Sequence, residues 1–209
     1  MSSNDLGQWA KHVPAAYNRI AEAWRQDRLG AAKHGLREQP FLDRLTAPLL
    51  PGASVLDVGC GFCMHAEHFV RRGFQVAGLD ASKRMLDLAR VTVPEASLIH
   101  GDMRTADPGG PFDALVAWDS VFHLPRGDHE LMFKRFGSWL RPGGRLLISL
   151  GGSGDEGFTS QMHGETFYYS GYEPVDALQL LTRAGFEVEH WEVDDPSSRG
   201  HIAVLAVKL

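Results

Sequence analysis

A regular alternation of short aliphatic runs with longer amphipathic segments most limits how this 209-residue chain can fold. From Ser54 onward, strand-like and helix-like segments follow one another almost to the last residue. Strands that alternate with helices pair in parallel, because each crossover helix returns the chain to the same end of the sheet. The pattern therefore predicts an α/β fold with a mostly parallel sheet covered by helices on both faces.

The predicted elements follow from hydrophobic period and composition. The strands are Ser54–Val58, Phe74–Leu79, Ser97–His100, Asp113–Trp118, Arg145–Leu150, Phe186–Val193 and His201–Lys208, and the helices are His65–Arg72, Ser82–Arg90, Asp128–Leu140 and Val175–Ala184. Only Asp194–Gly200 separates the last two strands, which is too short for a parallel crossover. We therefore expect a seven-stranded sheet that ends in an antiparallel C-terminal hairpin.

Two helical segments precede the first strand. Pro14–Arg28 has apolar residues at steps of three and four, and Pro40–Leu50 predicts a shorter helix. We expect a single domain in which residues 1–51 form a helical cap on a core of residues 52–209. The predicted loop Gly151–Gly171 is long and rich in glycine and aromatic residues. These features predict that the loop forms a lid that covers a binding site.

Composition and charge disfavour several classes of protein. The formal net charge is −5 and no long run of Lys or Arg occurs, which argues against a nucleic-acid partner. Residues 1–8 lack the pattern of a secretory leader, and no run approaches the roughly 20 apolar residues of a membrane span. We expect a cytoplasmic protein that acts on a small molecule; its oligomeric state is left open.

The first predicted strand runs into a glycine turn that suits a nucleotide. Gly59 and Gly61 let the backbone turn sharply and let a ligand approach the main chain. The next strand ends at Asp80, 21 residues after Gly59, where a carboxylate can accept hydrogen bonds from ribose hydroxyls. This spacing suits NAD or an adenosyl cofactor. Met64 stands where dinucleotide-binding proteins carry their third Gly or Ala, which disfavours NAD.

Several motifs in this order resemble the class I S-adenosylmethionine-dependent methyltransferases. They are the turn 56–61, the segment 78–82 with its following helix, the turn 101–103, the strand 112–116 and the turn 140–144. The resemblance extends from Tyr17 to the C-terminus. It implies a Rossmann-like fold, S-adenosylmethionine as cofactor, S-adenosylhomocysteine as its product, and methyl transfer to a small molecule. One departure is Cys63, where the family commonly has glycine.

The resemblance also implies roles for individual residues. Asp80 would bind the ribose and Asp102 the adenine amino group, while Met85 and Met103 would contact the adenine ring. Ser82 is the expected N-cap of the helix after Asp80, which leaves the Asp80 carboxylate free for a ligand. Further cofactor contacts are expected from the cap, the glycine turn and the ends of two strands, namely Tyr17, Trp24, Asp57, Gly59, Cys60, Gly61, Ala81 and Trp118.

The acceptor is expected beyond the fourth and fifth strands, because ligands of open parallel sheets lie at the carboxyl ends of the strands. Asp119 and His123 follow the fourth strand and are the candidate catalytic bases, needed only if the acceptor arrives protonated. They are also candidate substrate-binding residues, together with His163, Glu165, Tyr168 and Tyr169 of the long loop. The two tyrosines point to opposite faces if extended, so at most one is expected to face the acceptor.

Other functions remain open at this stage. The same cofactor serves aminocarboxypropyl transfer and cyclisation of its own amino acid, and a non-catalytic adenosyl-binding protein is a further alternative. An NAD-dependent oxidoreductase is disfavoured by Met64. A nucleic-acid or protein methyltransferase is disfavoured by the acidic charge and by Trp118-Asp119-Ser120, where amino-methylating DNA enzymes of similar fold carry [D/N]-P-P-[Y/F/W].

The pair Cys60 and Cys63, followed by His65 and His68, permits two further interpretations. A C-x-x-C motif at the start of a helix is typical of redox proteins, but this interpretation leaves the flanking glycines unexplained. Zinc needs side chains that converge, and residues two apart on a turn and helix do not face each other. We therefore expect no metal site; we interpret Cys60 as a small packing residue and expect His68 on the helix surface.

Overall fold

The computed structural model describes residues 8–33, 35–195 and 201–209. The helices are α1 (Val13–Ala32), α2 (Gln39–Thr46), α3 (Met64–Val70), α4 (Lys83–Thr92), α5 (His129–Trp139) and α6 (Pro174–Arg183). The strands are β1 (Ser54–Val58), β2 (Gln75–Asp80), β3 (Ser97–His100), β4 (Phe112–Ala117), β5 (Leu140–Leu150), β6 (Phe158–Met162), β7 (Glu165–Tyr169), β8 (Phe186–Asp195) and β9 (His201–Lys208).

The main sheet has the order β3-β2-β1-β4-β5-β9-β8. Its first five members pair in parallel, whereas β9 is antiparallel to both β5 and β8. The predicted seven-stranded sheet and its antiparallel final hairpin are confirmed. The strand order reverses between β1 and β4, and this is the place where open α/β sheets leave a crevice for a ligand.

Helices cover both faces of the sheet, as predicted. On one face Phe136 of α5 and Leu181 of α6 are fully buried against the strands. On the other face the buried contacts come from Leu45 of α2, Phe69 of α3 and Leu86 of α4. Burying a side chain of this size stabilises the fold by about 2 kcal/mol. These contacts hold the carboxyl ends of the strands in fixed relative positions.

Helix α1 packs on a smaller cluster of its own. Val13, Ala16 and Ile20 form one apolar stripe and are buried with Phe167 and Tyr168 of β7. The helix therefore lies against the β6–β7 hairpin as well as against α4. Through these contacts α1 reaches the carboxyl edge of the sheet, where the candidate site lies.

The predicted loop at residues 151–171 is not structureless. It contains a two-stranded antiparallel hairpin, β6–β7, joined by His163 and Gly164. Both residues have positive φ, +50° and +79°, as a type I′ turn requires. The expectation of an irregular loop was wrong because β6 is polar and its turn is His-Gly instead of the usual Asn-Gly.

The chain shows one further difference at the start of β5, which begins at Leu140 instead of Arg145. Leu140 pairs with Phe112 ahead of an irregularity in the β4–β5 register, so the turn motif 140–144 belongs to the strand. The predicted connection Asp194–Gly200 lies outside the described residues from residue 196 onward. Within the described part of the chain, no helix is both long and apolar enough to cross a membrane.

Candidate active site

The turn after β1 is pressed against the end of β4. Gly59 has a φ of +75°, and a Cβ built there would lie 2.4 Å from Cβ of Ser120. The backbone N–H groups of Gly59 and Cys60 both donate to the carbonyl of Leu79, at 2.7 and 3.1 Å. Glycine is required at position 59 by both its conformation and its contact. The turn therefore presents bare backbone to the space above the sheet.

Asp80 closes the end of β2 beside this turn. Its Oδ2 accepts a hydrogen bond from Gly61 N at 2.8 Å, and its Oδ1 accepts one from Ser82 N at 2.7 Å. Burial raises the pKa of Asp80, and these backbone hydrogen bonds partly offset that rise. Ser82 caps α4 by accepting from Met85 N, as predicted. A carboxylate has about four acceptor sites, so Asp80 keeps capacity for ligand hydroxyls.

A cleft opens above these groups, at the carboxyl ends of β1, β2 and β4. It brings together most of the side chains expected to hold a cofactor or an acceptor. The predicted residues that line it are Tyr17, Trp24, Gly59, Cys60, Gly61, Asp80, Ala81, Met85, Asp102, Met103, Trp118, Asp119 and His123.

At the far end of the cleft, Asp102 is already engaged by Arg104. The guanidinium Nη2 lies 2.6 Å from Asp102 Oδ2, and Arg104 also reaches Asp128 at 3.2 Å. Burial raises the pKa of Asp102, but Arg104 outweighs it and the pKa falls below its usual value. Met85 is buried and Met103 half-buried beside this pair. A ligand contacting Asp102 would therefore meet an ionised carboxylate that is already oriented by Arg104.

Asp57 lies below the glycine turn and does not line the cleft. Its side chain is buried, and its Oδ2 makes no hydrogen bond with any described residue. Burial raises the pKa of Asp57 to about 6, and the nearby His65 partly opposes that rise. The Trp118 Nε1 beside the cleft is likewise buried without a partner among the described residues. Two unpartnered buried polar atoms next to a cleft are typical of a site that a ligand or water completes.

Glu38 and Arg28 at this side of the cleft were missed by the sequence analysis, and His65 was considered there only as a metal ligand. Glu38, just before α2, accepts from His65 Nε2 at 2.9 Å and is paired with Arg28 of α1. Burial raises the pKa of Glu38, but His65 and Arg28 outweigh it and bring the pKa to about 2. His65 and Arg28 both line the cleft, so the Arg28 guanidinium provides positive charge near the glycine turn. Burial lowers the pKa of His65, but its partners Glu38 and Asp57 outweigh burial and raise it. No sequence motif connects Glu38 with residues so far away in the chain.

The two cysteines are packing residues, as expected for Cys60. Both are buried free thiols, and a Cβ built on Gly78 would lie 2.9 Å from Sγ of Cys60 and 3.2 Å from Sγ of Cys63. A hydrogen bond with Cys63 and burial raise the pKa of Cys60 well above its usual value, opposite to what a redox thiolate needs. Cys63 has a φ of +64°, which explains why a glycine suits this position.

Among the described residues, the rings of His65 and His68 hydrogen-bond to Glu38 and Gln39 and not to the cysteine thiols. His65 is held by Glu38, as described above, and the ring of His68 bonds to Gln39 at 3.0 Å. Burial lowers the pKa of His68 to about 4. Among the described residues, no group of three or more His, Cys, Asp or Glu side chains is placed to hold a metal ion.

His123 lies in the other half of the cleft, on the 3₁₀ turn after β4. Its Nδ1 is 2.8 Å from the carbonyl of Tyr168, which can only accept, so Nδ1 carries the proton. The Nε2 atom of the neutral ring therefore accepts from the hydroxyl of Tyr17, at 3.0 Å. Burial lowers the pKa of His123 to about 4. His123 is thus a neutral hydrogen-bond acceptor that is paired with a phenol of α1.

Asp119 begins a second network at the same edge. Its backbone has a φ of +50°, and its N–H donates to Ser149 Oγ at 2.8 Å. Its Oδ1 accepts from Nε2 of His201 at 3.0 Å, and Nδ1 of His201 lies 2.5 Å from Asp194 Oδ1. Burial lowers the pKa of His201, but the two carboxylates outweigh burial and raise it to about 9. An imidazolium thus bridges two carboxylates.

The sequence analysis treated His201 only as the first residue of the final strand and missed Asp194. Because β9 pairs with β5, the start of β9 lies beside the carboxyl end of β5. A histidine that opens a strand antiparallel to β5 is the signal that would have pointed to this edge. The pairing of Asp119 with His201 spans 82 residues, which no local motif encodes.

Four loop residues expected to bind the acceptor do not line the cleft. Glu165 bonds to Arg19 of α1 at 2.6 Å, and His163 bonds to Asp27 at 2.8 Å, both on the protein surface. Tyr168 turns its hydroxyl to the carbonyl of Glu156 at 3.1 Å. The expectation for these residues treated the segment as a free loop, whereas its hairpin is fastened to α1.

Tyr169 lies one layer behind the cleft. Its ring centroid is 4.9 Å from that of His123 and 5.7 Å from that of Phe122. Burial raises the pKa of its phenol, as does the charge of Asp119. Of the four loop residues, Tyr169 therefore supports the acceptor half through His123, without lining the cleft.

The comparisons with known proteins agree with this geometry. Residues 55–144 match a family model described as a methyltransferase domain. Over 123 residues the chain is 36% identical to a dTDP-3-amino-3,4,6-trideoxy-alpha-D-glucopyranose N,N-dimethyltransferase of Streptomyces venezuelae, covering 57% of this chain and 52% of that protein. It is 29% identical to a ubiquinone biosynthesis O-methyltransferase of Xanthomonas axonopodis, covering 71% of this chain and 69% of that one.

A similar solved structure is that of the 1,6-didemethyltoxoflavin-N1-methyltransferase of Burkholderia thailandensis, with bound 1,6-didemethyltoxoflavin and S-adenosylhomocysteine. It superimposes with a TM-score of 0.75 at 20% identity, covering 96% of this chain and 89% of that one. The structural likeness concerns the fold. The chain spans about half the length of the first curated relatives it matches.

Proposed function

We propose that the chain is a class I S-adenosylmethionine-dependent methyltransferase that methylates a small-molecule acceptor, because residues 55–144 match a methyltransferase domain. The observation that carries the proposal is the position of Asp80. Its carboxylate is fixed beside a glycine turn by two backbone N–H groups and still faces the cleft. This arrangement suits the two hydroxyls of a ribose.

The residues present fit S-adenosylmethionine along the whole cleft. Asp80 would hold the ribose, and Asp102 and Met103 would meet the adenine. Asp57 keeps an unpartnered oxygen below the turn at Gly59, where the methionine portion would lie. The Arg28 guanidinium and the His65 ring at this end would meet its carboxylate. Tyr17 and Trp24 of α1 would cover the cofactor, which when bound supplies an electrophilic methyl group.

The other half of the cleft is proposed to orient the acceptor. Methyl transfer is an in-line displacement, so catalysis depends mainly on holding the nucleophile about 3 to 3.5 Å from the methyl carbon. His123 and Asp119 line this half. The Nε2 atom of His123 accepts from Tyr17, which a ligand hydroxyl or amine could replace. Asp119 keeps its Oδ2 free of partners among the described residues, while its Oδ1 accepts from His201. We propose that His123 and Asp119 bind the acceptor and receive a proton from it if it arrives protonated.

The proposal extends to the partner, the location and the domain organisation of the protein. The net charge of −5 supports a small molecule and not a nucleic acid as the partner. We propose a cytoplasmic protein of one domain, with residues 1–51 as the helical cap. The buried contacts of α1 with β7 support this division.

A labelling experiment tests the proposed reaction. S-adenosylmethionine with a labelled methyl group is incubated with the protein and a metabolite extract, and the products are separated by mass. We expect the label in a small molecule and S-adenosylhomocysteine as the coproduct, with both lost in Asp80→Ala. Methylthioadenosine that retains the label would contradict methyl transfer and indicate cyclisation or aminocarboxypropyl transfer.

A further inference from the structure

We propose that the acceptor is an amine, bound as its ammonium ion by the free carboxylate oxygen of Asp119, and that His201 is the residue that positions this carboxylate. This inference rests on the proposed methyl transfer and adds the chemical class of the acceptor.

Asp119 presents one oxygen to the cleft. Its Oδ1 is occupied by His201 at 3.0 Å and by Ser149 Oγ at 3.4 Å. Its Oδ2 has no hydrogen-bond partner among the described residues, although 26% of the side chain remains accessible. The residue lines the cleft, so this oxygen is the one that a ligand would meet.

The polar groups around Oδ2 of Asp119 offer a ligand hydrogen-bond acceptors and few hydrogen-bond donors. The Tyr17 hydroxyl donates to His123, which leaves the oxygen lone pairs of Tyr17. The Ser120 hydroxyl donates to the carbonyl of Val58 at 3.0 Å. The Arg28 guanidinium is paired with Glu38. A ligand in this half must therefore supply the donors, and an ammonium has three donors and no acceptor.

Charge and aromatic surfaces favour the same ligand. The His201 imidazolium lies between the carboxylates of Asp119 and Asp194 and meets Asp119 at Oδ1, so among the described residues Oδ2 of Asp119 has no cationic partner. Arg37 approaches Asp194 at 3.5 Å, at the end of the network away from Asp119. The cleft wall also carries the rings of Tyr17 and Trp118. Carboxylate and aromatic faces together recognise cations.

The group transfer balances with these residues. The ammonium gives one proton to Oδ2 of Asp119, which frees the nitrogen lone pair. The nitrogen forms the new N–C bond, and the electron pair of the broken S–C bond stays on sulfur. Asp119 then releases the proton to water as the product leaves. Oδ1 stays bonded to His201 throughout, so the carboxylate keeps its orientation.

The test uses a matched pair of probes, benzylamine and benzyl alcohol, on protein saturated with S-adenosylhomocysteine. Binding is measured by calorimetric titration in the wild type, Asp119→Asn and Asp176→Asn, an exposed control. We expect benzylamine to bind about tenfold more tightly than benzyl alcohol in the wild type and the control, because a hydrogen bond to a charged group is about twice as strong as a neutral one. In Asp119→Asn the ratio should fall to within about twofold.

Two variants of His201 test its positioning role. His201→Phe should lose most of the preference for the amine, and His201→Gln, which keeps a donor toward Asp119, should retain most of it. A merely structural role would weaken both probes equally and leave their ratio unchanged.

The inference is overturned if benzylamine binds no more tightly than benzyl alcohol in the wild type, including the case in which neither binds. An unchanged ratio in Asp119→Asn overturns it as well. Failure of S-adenosylhomocysteine itself to bind would instead contradict the proposed function. The titration of that compound in every variant therefore separates the two failures and reports that the variant is folded.

Discussion

The two halves of the cleft are built in different ways. In the cofactor half, Asp80 bonds to Ser82 and Gly61, which are 2 and 19 residues away in the chain. In the acceptor half, Tyr17 meets His123 across 106 residues and Asp119 meets His201 across 82. The contacts of Asp80 come from strand ends and turns with recognisable motifs, whereas those of His123 and Asp119 exist only after the sheet and the cap have come together.

The acceptor half also shows how partners set the charge of a histidine. His123 and His201 contact the same Phe122 ring, at centroid distances of 4.8 and 6.0 Å. Burial lowers the pKa of His123 to about 4, because its partners are a carbonyl and a phenol. Two carboxylates outweigh burial and raise the pKa of His201 to about 9. Two buried histidines in one site therefore have opposite charge states at neutral pH.

The largest expected effect lies in the cofactor half, in Gly59→Ala. The new Cβ would meet Ser120 at 2.4 Å in a left-handed backbone conformation. We expect a loss of about 3 kcal/mol in the free energy of unfolding, from strain plus overlap, and weaker binding of S-adenosylhomocysteine. Urea denaturation and calorimetry measure both quantities.

Gly143→Ala is the matched control for this variant. Gly143 has a φ of +74° but nothing within 4 Å of a built Cβ. It should therefore cost only about 1 kcal/mol. Equal losses in the two variants would show that the contact with Ser120 does not matter.

The sequence predicts the cofactor half of the cleft better than the acceptor half. Gly59, Asp80 and the Ser82 cap were predicted because each belongs to a strand end, a turn or a helix start with its own local chemistry. His201 could not be assigned, because its role depends on β9 lying beside β5. Glu165 was expected at the acceptor site, and nothing local shows that its side chain bonds to Arg19 of α1 outside the cleft.

The neutral state of His123 predicts that the free energy of unfolding falls in acid. Because the pKa of His123 is lower in the folded state than its ordinary value of 6.5, its contribution is fully present above pH 6.5 and is lost as the pH falls toward about 4. A shift of this size corresponds to roughly 3 kcal/mol. Urea midpoints between pH 4 and 7 should fall less steeply in His123→Gln than in the wild type. Parallel curves would show that His123 is not held neutral.

The charged state of His201 predicts the opposite pH dependence of the free energy of unfolding, with a smaller magnitude. Because the pKa of His201 is raised from 6.5 to about 9, its contribution is fully present below pH 6.5 and is lost as the pH rises through about 9. The shift itself corresponds to roughly 3 kcal/mol, and we expect roughly 2 kcal/mol because the Asp119 side chain is 26% accessible and water screens its charge. His201→Gln should flatten the decline of the urea midpoint between pH 6.5 and 9.5. A decline that persists unchanged would place the titrating group elsewhere.

The central claim is that the cofactor half binds an adenosyl ligand through Asp80. The most direct test is a calorimetric titration of S-adenosylhomocysteine into the wild type, Asp80→Ala and Asp176→Asn. We predict that Asp80→Ala weakens binding by at least about tenfold, the size expected for hydrogen bonds to an ionised carboxylate, while Asp176→Asn binds like the wild type. Equal affinity in all three proteins would contradict the account.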